Sequence, residues 1–201
     1  MNSFDLYNQT CAASSELITK NYSTSFSLGI RMFDKEFREP IYGIYGFVRF
    51  ADEIVDTFHD FDKKELLADF RKDTFKAIYQ GISLNPVLQS FQLVVNKFQI
   101  DHQLITDFLD SMEMDLYKTT YESEALYNKY IYGSAEVVGL MCLQVFTNGD
   151  KKFYEELAPY ARSLGAAFQK INFLRDMNSD MEERGRVYFP GIDLTKFDEH
   201  T

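Results

Sequence analysis

Four aspartates stand in two pairs of identical spacing: Asp52 and Asp56 in "RFADEIVD", and Asp176 and Asp180 in "NFLRDMNSDMEERGRVYFP". Residues four apart on a helix are neighbours on one face, so each pair would set two carboxylates side by side. Such like charges repel by ~0.2–0.5 kcal/mol when exposed and by far more when partly buried. A solvated acidic face absorbs that cost, and a lone DxxxD reads that way. Here the surroundings differ. The first pair follows "IYGIYGFVRFA", an apolar and aromatic segment that should be buried. The second follows "LGAAFQKINFL", where Gly165, Ala166 and Ala167 allow close approach by another helix or a ligand. Two acidic pairs at the ends of apolar helices could face each other across a cavity. Magnesium suits such a site: it is a hard cation that keeps several waters and binds a few carboxylates together with substrate phosphate oxygens. Arg49 lies one turn before Asp52, and Arg175 adjoins Asp176. Their guanidiniums could bind diphosphate oxygens in bidentate fashion.

The elements that must position these residues are helical. "DKKELLADFRKDTFKAIYQG" places Leu66, Leu67, Phe70, Phe75 and Ile78 on one face and stops at Gly81. Pro86 opens a further helix, and Asp101 is the N-cap of a segment reaching Met114. Ser123 caps a long segment through "YIYGSAEVVGLMCLQVF" that stops at Asn148-Gly149. Asp150 caps the last segment, which should kink or restart at Pro159 and end near Gly185. Alternating strand patterns, repeats and linkers are missing from the sequence. The expectation is one all-α domain over 1–201, a bundle of seven or eight helices.

Composition narrows the function classes. The 201 residues are 45% hydrophobic and 26% charged, which reads as globular. A net charge of -10 argues against a nucleic-acid partner, since a grip on phosphate backbones needs a basic face. It does not exclude a phosphorylated small molecule held through divalent cations. Cys11 and Cys142 are too few for a disulfide framework, so a reduced, cytoplasmic compartment is the simplest expectation. The N-terminus has no signal-peptide pattern, and no apolar run reaches the ~18 residues of a spanning helix. Peripheral contact with a membrane surface stays compatible with all of this.

With these features assembled, the sequence resembles the squalene and phytoene synthase family. "RFADEIVD" and "QKINFLRDMNSDMEERGRVYFP" resemble its paired aspartate motifs, "YSTSFSLGIRMF" its N-terminal substrate segment, and "YIYGSAEVVGLM" its central tyrosine- and glycine-containing helix. The matches run in the family's order from Tyr22 to Pro190. Gln169, Asn172, Arg175, Asp176, Asp180, Arg186, Tyr188 and Pro190 together carry far more weight than one DxxxD.

The resemblance implies an isoprenoid-synthase-type helical bundle around a central cavity. It also implies a prenyl transferase that joins two prenyl diphosphates head to head through a cyclopropylcarbinyl diphosphate, giving a squalene- or phytoene-type hydrocarbon in triterpenoid or carotenoid biosynthesis. Asp52, Asp56, Asn172, Asp176 and Asp180 would hold Mg2+, with Mn2+ as the alternative ion. NADPH would enter only for a squalene-type product. Arg49, Asp52, Asp56, Tyr130, Asp176 and Asp180 would be the catalytic groups. Tyr22, Ser23, Phe26, Arg49, Tyr130, Gln169, Asn172, Arg175 and Arg186 would bind the prenyl diphosphate substrates. Peripheral membrane contact would serve product release. Phe26 and Phe47 read as core or as aromatic cavity lining, and Tyr130 and Tyr132 as half-buried helix residues or as a reach toward the diphosphate. Arg184 reads as a last-turn cation. Asp107, Asp110, Glu113 and Asp115 read as an exposed acidic face, and His59 and His102 as surface residues.

Three departures matter. Tyr22 stands where some relatives carry histidine, and Glu136 stands where glycine is usual. The chain also stops where the family continues for several more helices, so the expectation is an incomplete cavity wall and an exposed apolar patch along the last helix. The rivals are a terpene cyclase or chain-elongating prenyltransferase, and a non-catalytic relative acting as an assembly or binding protein. Elongating enzymes carry DDxxD, whereas Glu53 follows Asp52 here. Cyclases carry a second metal motif ending in glutamate. A non-catalytic relative would be expected to lose metal-site aspartates, and all four are present.

Overall fold

The computed structural model describes residues 2–117, 121 and 123–184, and within 178–184 the backbone alone. Nine α-helices and one π-helical turn make up the described chain: α1 Ser3–Tyr22, α2 Thr24–Met32, α3 Lys35–Asp56, α4 Lys63–Gln80, α5 Pro86–Phe98, α6 His102–Asp115, α7 Glu124–Ile131, the π-turn Tyr132–Glu136, α8 Val137–Thr147 and α9 Lys151–Arg184. The all-α expectation holds, with more helices than the seven or eight read from the sequence.

The starts and stops follow local chemistry. Side chains of Asn2, Ser23, Asp62, Asn85, Asp101 and Ser123 accept hydrogen bonds from first-turn N–H groups, satisfying donors that a helix start leaves orphaned. Asp150 does the same for Phe153 N–H at 3.0 Å. Gly81 ends α4 at a φ of 68°. Pro159 does not restart the last helix, one of the two outcomes expected there: α9 runs unbroken past it. Both Pro159 and Glu155, whose carbonyl loses its partner, are exposed, so water can take the orphaned acceptor.

The long apolar α3 is the hub, touching α1, α2, α4, α5, α6 and α8. Phe47 sits at its middle with no exposure, stacked on Phe91 at 4.0 Å and flanked by Phe108 at 5.4 Å and Phe70 at 5.6 Å. Phe47 is therefore core, not cavity lining. On α4 the buried face is Leu67, Phe70, Thr74, Ala77 and Ile78, while Leu66 turns outward. The segment from Glu124 to Thr147 is long and apolar enough by length and composition to cross a membrane, which corrects the expectation that no run qualifies. More than half of its most apolar 18-residue stretch is packed inside the bundle, against α6 and α9 among others.

Candidate active site

The C-terminal turns of α3 bring Arg49, Asp52, Glu53 and Asp56 together. Asp52 is partly buried, and its carboxyl is pushed up to about 7. Burial is the largest cause; the Asp56 charge raises it further, Arg49 opposes the rise, and Asp115 and Glu53 add to it. The Asp115 contribution is the informative one, because it places a third carboxylate within electrostatic reach of the first aspartate pair.

Asp115 corrects the sequence reading. It is 8% exposed, whereas Asp110 and Glu113 are exposed as expected. Its carboxylate accepts a hydrogen bond from the Tyr130 hydroxyl at 2.8 Å and another from the Tyr121 hydroxyl at 3.3 Å. A signal was available: Leu104, Phe108, Met112 and Asp115 follow helical spacing on the buried face of α6, so the carboxylate falls on an apolar stripe. Tyr130 is itself buried at 3% exposure, not half-buried. His102 also departs from expectation: it is half-buried, edge-on to Phe75 and Tyr79. His59 stays exposed and meets Lys63 at 2.9 Å.

The Tyr130 ring is the bridge to α9. Phe173 packs on it with centroids 6.1 Å apart and touches Tyr127 at 6.2 Å. One turn further along the same helix stands Asp176. Its carboxylate accepts two hydrogen bonds from the adjacent Arg175, at 2.7 and 2.6 Å. Gln169, Asn172 and Asp176 are partly buried and spaced three and four residues apart, hence on one face of α9. Asp180 lies on the helical backbone of α9. Its side chain lies outside the described residues, as do that of Arg184 and the whole of Arg186, Tyr188 and Pro190.

Backbone contact makes this bridge close. A Cβ on Gly133 would lie 2.7 Å from the Asp107 carbonyl oxygen, and one on Gly165 would lie 2.8 Å from the Ala135 carbonyl oxygen. The π-turn is thus clasped between α6 and α9. The close approach expected at Gly165 is borne out. Glu136, the departure from the usual glycine, is paired with Arg162 at 2.6 Å, and Arg162 also covers the Tyr132 ring at 5.2 Å.

The remaining expected substrate residues lie at the α1–α2 junction. Tyr22 ends α1, and Ser23 caps α2 by accepting from Phe26 N–H at 3.2 Å. Phe26 is half-exposed, with its ring 5.7 Å from that of Tyr45. Burial raises the Tyr45 hydroxyl pKa, with Arg49 opposing and Asp52 reinforcing the rise, so Tyr45 belongs to the same cluster although the sequence reading did not name it. A separate cleft lined by Lys35, Glu36, Pro40, Leu93 and Lys97 lies elsewhere, since Pro40 precedes Asp52 by roughly 18 Å of helix.

A divalent cation fits the first pair in charge: burial first, and then the neighbouring Asp56 and Asp115 charges, make the Asp52 carboxylate costly to ionise, and a cation would relieve that cost. Among the described residues no three acidic, histidine or cysteine side chains are close enough to ligate a metal by themselves. The fit is to an ion that draws its remaining ligands from water and substrate.

Residues 19–200 match the squalene/phytoene synthase family model. The chain belongs to that family. It is 28% identical over 184 residues to the 4,4'-diapophytoene synthase of Staphylococcus haemolyticus, covering 90% of this chain and 62% of the relative. It is 31% identical over 190 residues to the phytoene synthase of Arthrospira platensis, covering 90% and 61%. Among solved structures, a dehydrosqualene synthase in complex with ligand superposes with a TM-score of 0.82 at 26% identity, over 97% of this chain and 66% of that one. The bundle is therefore of the isoprenoid synthase type, and the chain spans under two thirds of the length of these family members.

Proposed function

We propose that this squalene/phytoene synthase family chain serves the head-to-head condensation of two prenyl diphosphates, farnesyl or geranylgeranyl, as a transferase. The observation that carries the reading is the convergence of the Asp52/Asp56 pair, through Asp115 and Tyr130, on Phe173 beside Asp176. This chain of contacts supports the reading that two acidic motifs distant in sequence serve one region, as binding two diphosphates requires.

In this reading Asp52, Asp56, Asn172, Asp176 and Asp180 hold Mg2+, or Mn2+ in its place. Bound there, such an ion would supply Lewis-acid neutralisation of diphosphate oxygens, easing departure of the first diphosphate. Arg49, Arg175 and Arg186 donate hydrogen bonds to the same oxygens, which stabilises the charge that grows as the C–O bond breaks. Asp115 fixes the Tyr130 hydroxyl by accepting its proton-side bond. The half-exposed Phe26, with Tyr45 behind it, offers a ring face that tolerates an allylic cation and keeps water from it. The second prenyl chain's double bond attacks that cation, and loss of a proton closes the cyclopropane.

Incubation with each diphosphate and Mg2+, with and without NADPH, followed by identification of the lipids, tests the reading. The expected products are C30 or C40 hydrocarbons or the cyclopropyl diphosphate. Asp52→Asn and Asp176→Asn should each nearly abolish turnover while the helical circular dichroism stays unchanged. Wild-type turnover by either variant at limiting magnesium would remove the metal assignment.

A further inference from the structure

Arg49 is held in an unusual state. Its Nη2 donates to the Glu53 carboxylate one turn along α3. Its guanidinium carbon lies 4.5 Å from the centroid of the Tyr22 ring. Its Nε is buried and has no hydrogen-bond partner among the described residues. A buried cationic N–H without an acceptor is costly, so the guanidinium stays in this position because its two partners hold it there.

The ring under it is itself fixed. Tyr22 is the last residue of α1, and the chain turns at once into α2: Ser23 N–H donates to the Thr19 carbonyl at 2.9 Å while Ser23 Oγ caps Phe26. Tyr22 is 49% exposed, and its hydroxyl makes no hydrogen bond to the described residues. The contact that engages Tyr22 is the ring face.

We propose that Tyr22 is a positioning residue: its ring face and the Glu53 carboxylate clamp the Arg49 guanidinium from two sides, fixing the orientation in which its exposed edge meets a diphosphate oxygen. This goes beyond Tyr22 as a substrate contact, because the hydroxyl does no work and the ring acts through Arg49. The inference rests on the diphosphate-binding reading above.

Calorimetric titration of inorganic diphosphate with saturating Mg2+ into the full chain, paired with arginine Nε–H NMR spectra, tests it. Tyr22→Leu should weaken binding roughly 3- to 30-fold, the range of a partly desolvated cation–π contact. The Arg49 Nε–H resonance should at the same time lose its ring-current shift. Tyr22→Phe should restore both the affinity and the shift. Tyr22→Phe as weak as Tyr22→Leu would overturn the proposal, since the hydroxyl would then be the working group. Wild-type affinity in Tyr22→Leu would overturn it too, since the clamp would be idle. Arg49→Gln separates the two levels of argument. If it abolishes binding while Tyr22→Leu does not, only the clamp fails. If it changes nothing, the diphosphate assignment of this region fails with it.

Discussion

Asp52 carries a proton equilibrium whose sign can be worked out. Its carboxyl ionises near the ordinary 3.8 in the unfolded chain and at about 7 in the folded one. Well below pH 3.8 both states are protonated and the residue contributes no penalty. Between 4 and 7 the unfolded state loses its proton first, so stability falls as pH rises; above 7 the full penalty remains, at most ~4 kcal/mol. In metal-free protein, Asp52→Asn should therefore raise the melting temperature at pH 8 and leave it nearly unchanged at pH 4. A variant that gains stability as it loses turnover would mark a residue kept for function. Magnesium binding must displace that proton, so apparent Mg2+ affinity should climb between pH 6 and 8, measured by titration in buffers of differing ionisation heat. An affinity flat across that range would count against Asp52 as a ligand. Asp115 belongs to the same electrostatic group. Replacing Tyr130 by Phe removes one of its two hydroxyl donors and should cost ~1–2 kcal/mol in thermal or urea unfolding.

At the scale of elements, the π-turn decides how α7 and α8 meet their neighbours. Its extra backbone width sits where Gly133 presses on α6 and where α9 presents Gly165 to Ala135. The facing atoms are backbone carbonyls, which cannot swing aside as a side-chain tip could. Gly165→Ala should therefore separate α9 from the turn and destabilise the protein by ~1–3 kcal/mol, read by urea unfolding. The displacement should also loosen Phe173 on Tyr130, visible as an increased exchange rate of α7 amides. A neutral Gly165→Ala would show that the helices can part without penalty. Pro159 tells the complementary story: its lost hydrogen bond faces water, so the 34-residue helix runs on.

Across the whole molecule, the two faces of α9 differ in partner. One packs on α8 and the π-turn; the other leaves Tyr160, Leu164, Phe168, Ile171 and Leu174 between 50 and 71% exposed. The apolar patch expected from the sequence is present on the helix that carries Asp176. Ile171→Lys, on the exposed face, should shift stability by no more than ~0.5 kcal/mol. A larger loss of stability would show that this face is covered by other residues of the fold.

Much of this was legible without coordinates. The helical class follows from apolar periodicity and capping residues, which act locally. The acidic pairs and their arginines follow from spacing, because i and i+4 are neighbours on any helix. The close approach at Gly165 follows from side-chain size alone. Tertiary structure decided what depends on residues far apart in sequence. Phe47 and Phe26 are equally aromatic, yet one is sealed among Phe70, Phe91 and Phe108 and the other is half-exposed beside Tyr45. Asp115 reads as one more surface carboxylate until α7 folds back and sets two tyrosine hydroxyls on it. Tyr22 and Arg49 are 27 positions apart, and only the packing of α1 on α3 brings the ring under the guanidinium. Local rules fix which elements form; burial and the meeting of distant side chains are set when those elements pack.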